Sequence, residues 1–201
     1  WLSVEGAIFR YDYADKQQRG RTNTGFPFGL VATQVNIPKS RIDGAELSAA
    51  LRPVKGLTLS GSAVYIDTKI KDYIGYSIEG PLVNMQGLPL NFSPKWSVNV
   101  DASYSTPITS SLTLFGGAGL AYRSKTSAQL AASALYDINA YTLVNAQLGV
   151  EDSEGRWRLW AFGNNITDKY YWTNVVKFAD TVTRFTGMPA TYGLSFSYKF
   201  D

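Results

Sequence analysis

Large apolar side chains recur at every second position in several stretches of this 201-residue chain, with small or polar residues between them. The last stretch is the clearest, where Tyr192, Leu194, Phe196, Tyr198 and Phe200 alternate with Gly193, Ser195, Ser197 and Lys199. A period of two marks a strand with one apolar and one wet face. Over 95–105, Trp96, Val98, Val100, Ala102 and Tyr104 oppose Ser97, Asn99, Asp101 and Ser103. The same alternation sets Ala45, Leu47, Ala49 and Leu51 against Glu46, Ser48, Ala50 and Arg52, and Leu112, Leu114, Ala118, Leu120 and Tyr122 against Thr113, Phe115, Gly117, Gly119 and Arg123. Turn signals divide the chain into eight such segments, near 2–14, 41–52, 56–69, 95–105, 111–124, 139–151, 156–167 and 189–200. The phase is open in the first segment and in the seventh, where Arg156 to Phe162 carries aromatics on both parities.

Three connections are short: Pro53 to Gly56, Ser105 to Ser111 and Asp152 to Gly155. Those between them, about 15–40, 70–94, 125–138 and 168–188, are long and polar. Strict alternation of short and long connections predicts a transmembrane barrel with tight turns at one rim and extended loops at the other. A sandwich has no reason to sort its loops so. Trp96 and Tyr104 are eight residues apart. At a rise of ~3.3 Å and a tilt of ~40° they stand ~20 Å apart along the membrane normal, near the ~25 Å apolar band of outer-membrane barrels.

Hydrophobic residues make up 45% of the chain, yet no apolar run approaches the length of a membrane helix. A membrane-spanning reading therefore has to use strands, and the predicted location is the outer membrane of a Gram-negative bacterium. The chain has neither cysteine nor histidine, which removes His-based triads, Cys-His dyads and the usual zinc or copper sites; no enzyme activity, cofactor or resident metal is expected. Net charge is +3 with the basic residues scattered, so nucleic acid is not an expected partner. Asp12 with Asp15 and Asp67 with Asp72 are carboxylate pairs near external strand ends, and solvated loop charge is their ordinary reading.

Three stretches resemble the TonB-dependent outer-membrane receptors: Arg41-Ile-Asp-Gly-Ala-Glu-Leu47 followed by Leu51-Arg-Pro-Val-Lys-Gly-Leu-Thr-Leu59, then Gly163-Asn-Asn-Ile-Thr-Asp-Lys-Tyr-Tyr171, then Gly187 to Phe200. Their order and spacing match the last strands of that family's barrel. The resemblance implies an all-β fold, an antiparallel transmembrane β-barrel segment of about eight strands within a larger barrel of ~22 strands. Residues 1–201 would then be a partial barrel domain, at most about the C-terminal third of a receptor, without the plug domain through which TonB acts. The chain starts at Trp1 without the features of a leader peptide, which also suggests a processed chain or a fragment. The family ends on its terminal aromatic, and Asp201 departs from that.

The implied function is the wall and the extracellular loops of an active transporter importing a scarce nutrient, a ferric siderophore or other iron complex. The implied partners are outer-membrane lipid, lipopolysaccharide, the small-molecule iron complex, TonB through a plug, and the barrel-assembly machinery. Tyr192, Leu194, Phe196, Tyr198 and Phe200 resemble the C-terminal signal read by that machinery, and they also suit a lipid-facing strand. In the loops, Arg19, Arg21, Phe26, Phe28, Tyr73, Tyr76, Trp172 and Arg184 are candidate substrate contacts, because aromatics with arginines suit an anionic, ring-rich ligand. Girdle anchoring and contact with lipopolysaccharide phosphates explain the same residue types.

Two other readings stand beside this one, a self-contained eight-stranded barrel of the OmpA type with an anchoring or adhesion role, and a soluble all-β module. The first would need its interior filled by side chains, whereas the inward positions are mostly Ser, Thr, Gly, Ala and Asn. The second would have to bury Leu47, Val98, Leu114 and Leu194 in a common core. The receptor reading instead expects Trp96, Val98, Val100, Tyr104, Leu194 and Phe196 on one exposed face.

Overall fold

A computed structural model describes residues 1–130, 133–178 and 181–200. Asp201 lies outside the described residues. The strands in chain order are β1 (Leu2–Asn23), β2 (Leu30–Leu51), β3 (Leu57–Asp72), β4 (Ile74–Tyr76), β5 (Leu82–Asn84), β6 (Trp96–Pro107), β7 (Leu112–Arg123), β8 (Thr126–Ser127), β9 (Asp137–Ile138), β10 (Tyr141–Asp152), β11 (Trp157–Asn164), β12 (Trp172–Phe178), β13 (Thr181–Thr186) and β14 (Thr191–Tyr198). A single turn of 3-10 helix, Ala134–Tyr136, precedes β9. Every one of the eight predicted segments lies on a long strand, and these strands form one antiparallel sheet in the order β1-β2-β3-β6-β7-β10-β11-β14. Neighbours in sequence are neighbours in the sheet, and β1 and β14 form its two edges.

Residues paired across a ladder share a face, so the registers resolve the two open phases. Leu2, Val4 and Ile8 pair with Leu51, Ala49 and Ala45, and these pair in turn with Leu59, Gly61 and Tyr65. On β11, Trp157, Leu159 and Ala161 pair with Tyr198, Phe196 and Leu194. Trp96, Val100, Tyr104, Leu194 and Phe196 are exposed on this apolar face rather than packed in a core. The opposite face carries Ser48, Ser62, Asp101, Ser103, Gly117, Asn145 and Gln147, and two shallow hollows of the sheet open there, of about 400 and 350 Å³. Phe9, Tyr11, Tyr13, Arg158, Trp160 and Phe162 also belong to that wall.

The connections depart from expectation. The stretch 15–40 is no long polar loop: β1 and β2 run on as a hairpin whose turn occupies only 24–29. Residues 31–37 keep the alternation with smaller side chains, Val31, Thr33, Val35 and Ile37 against Ala32, Gln34 and Asn36, so the ladder continues above the apolar band. Gly25 and Gly29 close the turn at φ +75° and +60°, a backbone region glycine enters without steric cost. The other long connections each carry a two-stranded sheet, β4-β5, β8-β9 and β12-β13. At the far end β11 stops at Asn164, where Asn165 turns left-handed (φ +48°), and β14 ends at Tyr198 with Phe200 beyond it.

Apart from Phe115 on β7, the buried apolar side chains among the described residues lie in these connections or on the strand ends that enter them. Ile37, Ile70, Tyr73, Met85, Leu90 and Leu130 form one cluster. Ile78, Ala128, Tyr136, Ile138 and Val175 form another. Ile42 and Ile70 lie on the polar wall's parity, yet odd-numbered Ile37 and Val35 join them. The alternation of β2 therefore breaks between Ile37 and Ser40, at Pro38 and opposite Asp15, whose φ is +51°. That break turns the upper hairpin onto the neighbouring connections.

Candidate functional site

The turned hairpin brings Arg19 and Arg21 of β1 against Tyr73 and Tyr76, and these four line one narrow cleft with Ile78, Met85, Gln129 and Leu130. The cleft holds about 10 Å³, room for a single water. Tyr73 reaches it because its ring folds over Gly75, where an added Cβ would lie 2.4 Å from the ring. The Met85 amide donates to the Tyr73 carbonyl at 2.9 Å and fixes the start of the β4-β5 hairpin. Burial pushes the Tyr73 phenol above its ordinary range, so it stays neutral. The Gln18 amide donates to Asn91 Oδ1, tying the β1-β2 hairpin to the connection before β6.

Arg21 links this cleft to the second cluster. Its Nη2 donates to the Lys177 carbonyl at 3.5 Å, while its Nε is buried and has no partner among the described residues. Trp172 Nε1, Tyr136 Oη and Asn174 Oδ1 are also buried without a partner among the described residues. Tyr136 is fully buried, and its phenol is pushed up by burial and by Glu79, with Arg21 pulling the other way. Arg184 stacks over Trp172 with its guanidinium carbon 4.5 Å from the ring centroid. Gln129 Nε2 donates to the Val175 carbonyl at 3.4 Å, so segments from four connections meet here.

Six of the eight loop candidates therefore gather in two adjoining patches, Arg19, Arg21, Tyr73 and Tyr76 in the cleft and Trp172 with Arg184 beside it. Phe26 and Phe28 do not join them. They stand at the hairpin tip, 100% and 76% exposed. Sequence reading missed Gln18, Asn91, Gln129 and Tyr136, because nothing in the spacing of an irregular connection shows which residue its fold turns inward. Guanidinium groups, neutral phenols and unpaired donors can hold an anion bearing flat rings. Among the described residues no group of three or more Asp or Glu could hold a metal. Of the carboxylates near the strand ends, Asp12 pairs with Arg41 at 2.7 Å and Asp67 with Lys69 at 2.8 Å, both at the surface.

Tyr192, Leu194, Phe196 and Tyr198 lie along the apolar face of β14, whose far edge has no neighbouring strand among the described residues. Phe200 contacts Tyr198 at 4.9 Å between centroids, edge to face, and the Lys199 amide extends the ladder by donating to the Arg156 carbonyl at 2.8 Å.

Residues 1–166 match the family described as TonB dependent receptor-like, beta-barrel. Solved structures agree in fold. The siderophore receptor PiuA from Acinetobacter baumannii superposes with a TM-score of 0.70 at 20% identity over 99% of this chain and 26% of its own. The ferric yersiniabactin uptake receptor FyuA from Yersinia pestis gives 0.76 at 16% identity over 100% and 28%. The ferric preacinetobactin receptor BauA from Acinetobacter baumannii gives 0.71 at 20% identity over 99% and 27%. The chain thus spans little more than a quarter of the receptors it matches.

Proposed function

The chain belongs to the TonB-dependent receptor β-barrel family, and from that premise we propose that it supplies barrel wall and extracellular loops to a transporter that imports an anionic, ring-bearing iron complex of the ferric siderophore kind across the outer membrane. Arg21 carries the reading. A guanidinium whose Nε is buried with no partner among the described residues, next to tyrosines and a stacked Trp172–Arg184 pair, lacks an acceptor that an anionic ligand would provide. The 10 Å³ cleft is too small for such a ligand, so binding requires the connections to part. In the whole receptor the polar wall faces a plug that couples to TonB, and β14 is read by the barrel-assembly machinery through its free edge and its row from Tyr192 to Phe200. An OmpA-type closed barrel has less support, since β1 and β14 are edges of an open sheet.

The test uses the full-length receptor in detergent and a panel of ferric catecholate, hydroxamate and carboxylate complexes, followed by intrinsic fluorescence. At least one complex should bind. Arg21→Gln should weaken it by about tenfold or more, the worth of a hydrogen bond to a charged group. No binding by any of the panel, or equal binding by the variant, overturns the assignment.

A further inference from the structure

The motif Gly163-Asn-Asn-Ile-Thr-Asp-Lys-Tyr-Tyr171 folds into a knot where β11 ends, with Asn165 at its centre. Asn165 is 4% exposed, and both ends of its side-chain amide are hydrogen-bonded. Its Oδ1 accepts the Lys169 amide at 2.9 Å, and its Nδ2 donates to the Lys169 and Met188 carbonyls, both at 3.0 Å. One side chain thus ties the outgoing chain at 165–169 to the returning chain at 188. Asp168 adds a second tie, its Oδ1 accepting the Ala190 amide at 2.9 Å. Asn165 and Asp168 hold φ at +48° and +47°, a region that Asn and Asp enter more readily than other residues with a side chain. The knot is pinned to β10, where Asn145 Oδ1 accepts the Asn165 amide at 2.9 Å and the Val144 carbonyl accepts the Ile166 amide at 2.8 Å. Tyr171 completes it. Its carbonyl accepts the Gly187 amide at 3.0 Å, and its ring lies 4.6 Å from that of Tyr141 and over Gly187, where an added Cβ would collide with it.

We propose that Asn165 is a positioning residue that makes the β12-β13 arm the fixed side of the ligand site. The inference rests on the ligand reading proposed above. The arm begins at Trp172, next to Tyr171, and ends at Thr186, next to Gly187, so the knot holds both of its ends. This arm carries the stacked Trp172 and Arg184, and its Val175 and Lys177 carbonyls accept from Gln129 and Arg21 of other connections. With the arm held, the narrow cleft opens by movement of the connections packed against it. The knot requires an amide at its centre. A carboxylate at 165 has the same size and keeps an acceptor for the Lys169 amide, but it sets an oxygen without protons against the Lys169 and Met188 carbonyls.

The test uses the full-length receptor in detergent, otherwise free of cysteine, with nitroxide labels at Lys71→Cys on β3 and Thr183→Cys on the arm. The wild type should give one narrow distance distribution that a bound iron complex does not shift. Asn165→Asp should broaden it and weaken binding about tenfold, as expected when about a tenth of the molecules hold the arm in place. In an Arg184→Gln background the same substitution should cost about threefold or less, because it acts through the arm. Asp168→Asn, which keeps the acceptor for Ala190, should behave as wild type, and Asp168→Ala should broaden the distribution in part. An unchanged distribution in folded Asn165→Asp, an arm that shifts when the wild type binds its complex, or a full tenfold loss in the Arg184→Gln background overturns the positioning role. If Asn165→Asp does not fold, an unchanged distribution in Asp168→Ala overturns it instead. If no complex binds the wild type, the ligand reading falls, and the distances alone decide whether the knot fixes the arm.

Discussion

Phe9 lies flat over Gly44, its partner across the β1-β2 ladder, and a Cβ there would sit 2.4 Å from the ring and 2.9 Å from the Tyr65 carbonyl. That space is what lets an aromatic row run up the polar wall, Phe9 to Tyr11 at 5.2 Å and Tyr11 to Tyr13 at 6.1 Å, with the Lys16 ammonium 4.4 Å from the Tyr13 ring. Gly44→Ala should therefore cost about 1–3 kcal/mol, the usual price of overpacking. Thermal unfolding of the full-length receptor in detergent measures it. The same substitution in a Phe9→Ala background should cost clearly less, because the clash is with that ring. Additive losses would show that backbone crowding, not Phe9, sets the requirement for glycine.

At the scale of the element, the turn joining β10 to β11 has the most specific chemistry. The Gly155 amide donates to the Asp152 carbonyl at 2.8 Å with Gly155 at φ +73°, and Arg156 donates through Nε to Asp152 Oδ2 at 3.0 Å. The Arg156 hydrogen bond holds the Asp152 carboxyl below its ordinary range, and its charge acts in the same sense. A carboxyl depressed on folding stabilises the fold above the ordinary aspartate value of about 4, and that contribution disappears as pH falls through the lower folded value. Asp152→Asn should lower the unfolding midpoint at pH 7 and lose no more below pH 4, so the wild-type and variant curves converge in acid. A constant gap between them down to pH 2 would show that Arg156 has no part in it. The β1-β2 hairpin carries a different lesson. Its extension persists because alternation survives in small and polar residues, which reads as loop to an eye tuned to large apolar ones.

For the whole molecule, the decisive feature is an open eight-stranded sheet with one apolar and one polar face. Each edge leaves unpaired N–H and C=O groups that cost several kcal/mol apiece in hydrocarbon. Expressed alone and refolded in detergent, residues 1–201 should therefore aggregate. A heat-modifiable, protease-resistant monomer that inserts into liposomes would mean that β1 and β14 close on each other, and the OmpA-type reading would replace the receptor one. In the larger barrel proposed above those edges would meet neighbours and the polar wall would face inward, where small residues suffice because the interior is not filled by this sheet's own side chains.

The period of two, the sorted turn lengths and the aromatics at the ends of the apolar rows were sufficient for eight strands, their order and the outward face of most of them, because these are local properties that a strand's pleat imposes directly. Facing in β1 and β11 was beyond such reasoning. Large apolar side chains occupy both parities there, and only the registers with β2 and β14 assign Phe9, Trp160 and Phe162 to the polar wall. The candidate site divides in the same way. Arg and aromatic residues in long connections were legible as ligand chemistry, but the meeting of Arg19 and Arg21 with Tyr73 and Tyr76 depends on a break in alternation at Pro38 and on contacts between connections far apart in sequence. Such contacts leave no periodic trace in the chain, so tertiary packing alone decided which loop residues gather and left Phe26 and Phe28 at the tip.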